Sequence, residues 1–239
     1  MVLRGVLQRT GTGFYCPFFS RKADTLSSMP APLVIHRPAG RIPRCLKLAY
    51  TAFVAVLVPV YWLEYGPANF LWGSDIALLV TLAGLWLESR LLLSMMALAI
   101  FIPELGWSMD LLIRVTAGND AIGARGTRYM FDASIPVLVR GLALFHVALP
   151  VVLLWSLYRL GYYRRALLGQ SLLAWIVLPV SYLVSDPAAN INLVYGFGST
   201  PQTWLPGPVY VLLLMALFPL VIYLPTHLLL RRLFAAPRG

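Results

Sequence analysis

Two side chains capable of acid–base or ion-pair chemistry lie inside an apolar stretch near the middle of this chain, residues 135–157 (IPVLVRGLALFHVALPVVLLWSL). The stretch is long enough to cross a bilayer, and Arg140 and His146 lie in its interior. A charge or an imidazole in hydrocarbon is costly, so each predicts a polar partner on a neighbouring helix or in a water-filled cavity. On an ideal helix the two side chains point about 120° apart. His146 could act as acid or base near neutral pH, or it could be a packing histidine held by one hydrogen bond.

Three acidic residues in the preceding apolar stretches are candidate partners: Asp75, Glu104 and Asp110. With about 1.5 Å of rise per residue, Asp75, Glu104 and Arg140 fall at one level in the outer half of the membrane. Buried charges of opposite sign offset each other, so the sequence predicts an ion pair of Arg140 with Asp75, Glu104 or both. Trp107 lies three residues from both Glu104 and Asp110. It could therefore form the wall of a pocket, or belong to the core or the interfacial aromatic belt.

The composition indicates a membrane protein. Of the 239 residues, 59% are hydrophobic and 12% are charged, whereas a soluble domain is about half apolar and about a quarter charged. Pro103 predicts a kink or a break in the third apolar stretch. The predicted fold is all-α, a polytopic six-helix transmembrane bundle with spans at residues 48–63, 69–87, 91–113, 135–157, 167–185 and 208–230.

The distribution of basic residues predicts the orientation. If the N-terminus is cytoplasmic, the cytoplasmic segments hold fifteen Arg and Lys residues and the outer segments hold three. This bias predicts six spans with both termini in the cytoplasm. Residues 1–46 are predicted to be a basic, largely disordered leader with a true start at Met29, or alternatively an organellar import signal. Residues 47–233 form the predicted transmembrane domain and residues 234–239 a short basic tail.

The expected partners follow from charge and from missing signatures. The net charge of +10 comes mostly from residues just outside the spans, which predicts contact with membrane lipids and not with nucleic acid. Cys16 and Cys45 have no metal-ligand spacing, and no HExxH, GxSxG or Walker signature occurs, so no metal and no cofactor are predicted. The outer loop, residues 186–207, is longer than two helices require. It is predicted to be a docking surface for a membrane-protein partner, a lid, or a loose connector.

Four strings resemble a family of bacterial multi-pass inner-membrane proteins with no established activity: GPANFLW (66–72), LALFHVALP (142–150), NINLVYG (190–196) and YLPTHLLLRR (223–232). The likeness covers residues 46–233 and implies six spans in a bacterial inner membrane; an organellar membrane is the alternative. A fainter likeness is to six-span lipid-ester hydrolases of the androgen-induced-gene type, which also place a histidine in a mid-chain span. Their nucleophile position has no match here, so no residue role follows from it.

Three functions stay open on the sequence. In the first, the protein is a non-catalytic scaffold or assembly factor, and the polar cluster only holds helices together. In the second, it is an intramembrane enzyme acting on a lipid or lipid-linked substrate, with His146 as acid or base. In the third, it is a small-solute carrier in which Arg140 binds an anion. A cluster that is fully packed, with no cavity beside His146, would favour the scaffold.

Overall fold

The computed structural model describes residues 41–118, 126–197 and 200–234. Most of the predicted leader, with Cys16 and Met29, and nearly all of the predicted tail lie outside the described residues. The described part is built from helices, with short 3₁₀ segments at Pro67–Leu71, Arg128–Phe131 and Ile191–Leu193 and a π-helical turn at Phe218–Tyr223. The α-helices are α1 (Arg44–Tyr65), α2 (Gly73–Trp86), α3 (Arg90–Ala117), α4 (Val137–Leu142), α5 (Phe145–Leu160), α6 (Ala166–Val184), α7 (Gly207–Leu217) and α8 (Leu224–Leu233).

Five helical segments of the described part are long and apolar enough to cross a membrane: Arg44–Tyr65, Arg90–Ala117, Val137–Leu160, Ala166–Val184 and Gly207–Leu233. The predicted second span is divided instead between a 3₁₀ segment and the 14-residue α2, because Trp72 between them is extended (ψ 135°). A helix of that length covers about 21 Å, less than the roughly 30 Å of hydrocarbon. The predicted helical multi-pass membrane protein is thus confirmed, while the count of six spans stays a prediction.

The chain breaks in the predicted fourth span and not in the third. Helix α3 continues through Pro103, so the predicted break there is wrong. The break falls between α4 and α5, where the His146 amide donates to Ala143 O (3.2 Å), a three-residue separation that replaces the α-helical bond. Pro150 has no amide hydrogen for the His146 carbonyl one turn earlier. Phe145 therefore begins a second helical piece after a 3₁₀-type turn, and the two pieces together make up the apolar segment Val137–Leu160.

Helix α3 is the central element of the described helices. It packs against α2, α5, α6, α8 and the π-helical turn, whereas the short α4 contacts α1. The two pieces of the fourth span thus lie against different neighbours. Side chains on α3 such as Leu93, Met96 and Leu98 are fully buried, as expected for a helix with neighbours on most of its faces.

The α2–α3 hairpin depends on close packing at Gly84. A Cβ at this position would lie 3.0 Å from the Leu93 side chain, and Leu93 is fully buried. We expect Gly84→Ala to lower the free energy of unfolding by about 1–2 kcal/mol, because the added methyl overpacks a closed core. Thermal unfolding in detergent micelles would measure this. Gly106→Ala in α3 is the matched control, since its Cβ meets nothing within 4 Å; an equal or smaller loss for Gly84→Ala would contradict the packing argument.

Candidate functional site

The site is built on a hydrogen bond between α3 and α5. His146 Nδ1 lies 2.8 Å from Glu104 Oε2, and the two side chains are 15% and 3% exposed. The ring of Trp107, one turn after Glu104 on α3, stacks on the imidazole with 4.6 Å between centroids. Phe145 stacks on it as well, with 4.1 Å between centroids. The imidazole is therefore fixed in position and orientation by one carboxyl group and two aromatic rings.

The carboxyl group decides which edge of the imidazole is available. A carboxylate at Nδ1 favours the tautomer with the proton on that nitrogen, which leaves the lone pair on Nε2. Within the described part of the chain, His146 Nε2 has no hydrogen-bond partner. A neutral imidazole held in this way can take a proton at Nε2, and the nearby carboxylate stabilises the imidazolium that forms.

A cavity of about 280 Å³ lies beside this pair. On α3 its lining extends from Met96 to Trp107, which is about 16 Å at 1.5 Å per residue. That length is close to the hydrocarbon depth of one leaflet. Most of the other lining residues are apolar, among them Ile76, Ala99, Ile100, Pro103, Leu173, Val177, Leu178, Phe218 and Ile222. The arrangement, an apolar slot with a few fixed polar groups, is that of a ligand site.

Two polar side chains in the wall of the slot were not among the residues that the sequence predicted for the site. Gln170 on α6 and Tyr223 in the π-helical turn both line the cavity. Gln170 Oε1 is buried and the Tyr223 hydroxyl lies near the Gln170 side chain, so the two form a small polar group in the cavity wall. A glutamine inside an otherwise apolar span was the available signal. Apart from Pro219, nothing in the sequence indicated the π-helical turn that contains Tyr223.

Asn192, from the outer loop, closes the cavity at the end near Trp72. Its Oδ1 accepts from the Gly73 amide (2.9 Å) at the start of α2. Its Nδ2 donates to Leu71 O (2.7 Å) and to Ser181 Oγ (2.9 Å). Asn192 adopts φ 54°, a left-handed conformation that asparagine tolerates better than most residues. The loop is thereby fixed to both α2 and α6, and it forms part of the cavity wall.

The predicted ion pair of Arg140 with Asp75 or Glu104 is not formed. Arg140 Nη1 donates instead to Met130 O (3.1 Å) in the preceding loop, and in the described part the partner of Glu104 is His146. The helix break explains the difference, because α4 contacts α1 while α5 contacts α3. Arg140 is thus on the piece that leaves the polar site.

Asp75 lies near the site but is absent from the cavity lining. Its Oδ2 accepts from Asn69 Nδ2 (3.3 Å), and its buried Oδ1 has no partner among the described residues. Asp75 is close enough to Glu104 for the two carboxyl groups to interact electrostatically.

Asp110, also predicted to belong to the cluster, fixes the loop between α3 and α4 to α3. Its Oδ2 accepts from the amide and the hydroxyl of Thr127 (2.7 and 2.8 Å). Its Oδ1 accepts from Arg114 Nε (3.2 Å). Neither Asp110 nor Arg114 lines the cavity. Their contacts with each other and with Thr127 therefore have a structural role.

The comparisons add no family to this geometry. No protein-family model matches the chain, and no match was found among curated proteins or solved structures. Within the described residues no three His, Cys, Asp or Glu side chains come together in a way that could hold a metal ion.

Proposed function

We propose that the protein is an intramembrane enzyme acting on a lipid or lipid-linked substrate, with His146 as general base and acid. The observation that supports this most is the His146–Glu104 pair at the wall of an apolar cavity. In this proposal an acyl chain occupies the slot along α3, and the polar part of the substrate lies at Nε2. His146 takes a proton from a hydroxyl group or a water molecule there and returns it to the leaving group.

The cavity also favours an enzyme over the two other functions. A scaffold needs only a packed polar cluster, and packing of that kind leaves no space beside the imidazole. A carrier for a small anion needs a cation in the pathway, yet Arg140 contacts the loop between α3 and α4 and does not line the cavity. Docking of a membrane-protein partner on the outer loop, residues 186–207, stays a separate prediction.

We further propose that the chain crosses the membrane six times, with both termini in the cytoplasm, in a bacterial inner membrane. The Lys47 ammonium lies 2.7 Å from Glu88 Oε1, and this hydrogen bond lowers the pKa of the Glu88 carboxyl group. The pair joins the start of α1 to the turn after α2. Although α2 is short, it thus brings the chain back to the side of the helix bundle at which α1 begins, and this supports a second crossing.

Occupancy of the slot can be tested by photo-crosslinking. Ala99 lines the cavity and lies more than one helical turn from Glu104 on α3, so Ala99→Phe should fill the slot while leaving the His146–Glu104 pair unchanged. Cells fed a fatty acid with a diazirine in its chain incorporate the probe into their lipids. After irradiation we expect the wild-type protein to retain crosslinked lipid, and Ala99→Phe to retain several-fold less because the space is filled.

The control is Ala216→Phe on α7, which adds the same ring at an exposed position outside the cavity. Equal crosslinking of wild type, Ala99→Phe and Ala216→Phe would mean that the probe labels the outer surface. That result would contradict a lipid in the slot, and with it the proposed substrate class.

A further inference from the structure

A second cavity, of about 460 Å³, lies where the α2–α3 turn, the α5–α6 turn and the end of α8 meet. Four arginines line it: Arg90, Arg164, Arg165 and Arg231. Its lining, as far as the structure describes the chain, contains no Asp or Glu. This basic cavity therefore concentrates positive charge in a space that is far larger than one water molecule.

Among the described residues, no carboxylate forms an ion pair with these four guanidinium groups. The ion pairs of the described residues are Lys47–Glu88, Arg114–Asp110 and His146–Glu104, and none includes an arginine of the basic cavity. Arg90 Nη2 donates to Tyr162 O (3.3 Å), which leaves its other N–H groups available. Several uncompensated guanidinium groups around one space are the usual recognition element for a phosphate.

The basic cavity is also held in a fixed shape. Tyr162 and His227 are both buried, and the Tyr162 hydroxyl lies 2.7 Å from His227 Nδ1. The next amide, Tyr163 N, donates to Ser94 Oγ on α3 (2.9 Å). Since the turn before Arg164 is tied to both α3 and α8, little ordering is needed when a ligand binds.

The position of the basic cavity indicates the source of the phosphate. Arg90 is the first residue of α3, Arg165 directly precedes α6, and Arg231 is in the last turn of α8. Helices α3 and α6 are two of the long apolar helices, and α8 is the last part of a third, Gly207–Leu233. Helix ends of this kind lie at the level of lipid headgroups, where arginine attracts anionic lipid.

We propose that the basic cavity binds the phosphate headgroup of an anionic lipid, with a phosphomonoester such as phosphatidate as the best-fitting class. A monoester has a second ionisable oxygen that a phosphodiester lacks, and four guanidinium groups can compensate both charges. The site is separate from the His146 cavity, so the proposal holds whether or not His146 is catalytic.

Native mass spectrometry of the purified full-length protein in detergent tests the proposal, with phosphatidate and phosphatidylcholine as competing lipids. We expect the wild type to retain phosphatidate preferentially. Arg231→Gln should lower that retention about tenfold, the usual effect of losing a charge-assisted hydrogen bond. Arg164→Gln tests the same cavity from the α5–α6 turn, so that one misfolded variant does not decide the result. Both side chains are exposed, so folding should be unaffected, as an unchanged gel-filtration profile would show.

The matched control is Arg232→Gln, which removes the same charge from the neighbouring residue outside the basic cavity. Arg232→Gln should leave retention of phosphatidate close to that of the wild type. An equal loss for Arg231→Gln and Arg232→Gln would overturn the site in favour of diffuse attraction to the helix end. Displacement of phosphatidate by inorganic phosphate at equal concentration would overturn the assignment to a lipid and indicate a soluble phosphate ligand.

Discussion

Replacement of His146 by alanine is expected to lower lipid turnover by about two to four orders of magnitude, the usual contribution of a positioned general acid or base. The imidazole is held by Glu104 and stacked against Trp107, so the reacting nitrogen has one defined place beside the cavity. Liposomes made from a total lipid extract and containing the purified protein provide the assay, with products identified by mass spectrometry. Unchanged turnover by His146→Ala would contradict the proposed function.

Glu104→Gln separates orientation of the imidazole from binding of the substrate. An amide at this position can donate to Nδ1, which would favour the tautomer with the proton on Nε2 and remove the base. We therefore expect kcat to fall while KM changes little, because the slot itself keeps its shape. The control is Glu64→Gln, the same change at an exposed residue near the end of α1. If Glu64→Gln lowered kcat as much as Glu104→Gln, the loss would come from the change in net charge and not from the tautomer of His146.

The sequence predicted the members of the pair without predicting the pairing. A histidine inside an apolar span requires a polar partner, but the estimated depths placed Glu104 at the level of Arg140 and Asp75. The sequence predicted Arg140 as the partner of Glu104, because a continuous span from residue 135 to 157 places the Arg140 side chain at that level. The break before Phe145 follows from backbone hydrogen bonds that residues 135–157 do not specify, since Pro136 and Pro150 allowed several positions for a bend.

The cavity could not have been predicted, because it arises from helices distant in sequence. Gln170 and Asn192 each reach it from a separate element, and no periodicity in the chain relates α6 to the outer loop. The length of α2 was missed for a local reason. Residues 69–87 are mostly apolar and carry Asp75 as their one charged residue, and hydropathy alone does not show that the helix begins only after Trp72.

Loss of the Asp110 carboxylate is expected to have the largest effect on stability. Asp110 accepts hydrogen bonds from the amide and hydroxyl of Thr127 and from Arg114 Nε, and both of these residues are buried. We expect Asp110→Ala to lower the free energy of unfolding by about 2–3 kcal/mol, since the buried Thr127 donors lose their acceptor and a buried guanidinium loses a counter-charge. The midpoint of thermal unfolding in detergent is the measurement.

Two further variants identify the cause of that loss. Asp132→Ala removes a carboxylate that accepts from Ser134 on the exposed surface, and it should change the midpoint far less because water replaces the lost bond. Asp110→Asn keeps an acceptor for Thr127 but removes the charge, so its midpoint should lie between those of wild type and Asp110→Ala. If Asp110→Ala unfolds no earlier than Asp132→Ala, the loop is not anchored through this carboxylate. Arg140 on α4 donates to Met130 O in the same loop. If the loop detached from Asp110, α4 would therefore also lose this hydrogen bond, the only one described for a side chain of α4. In this way the Asp110 contacts are connected to the helix break before Phe145.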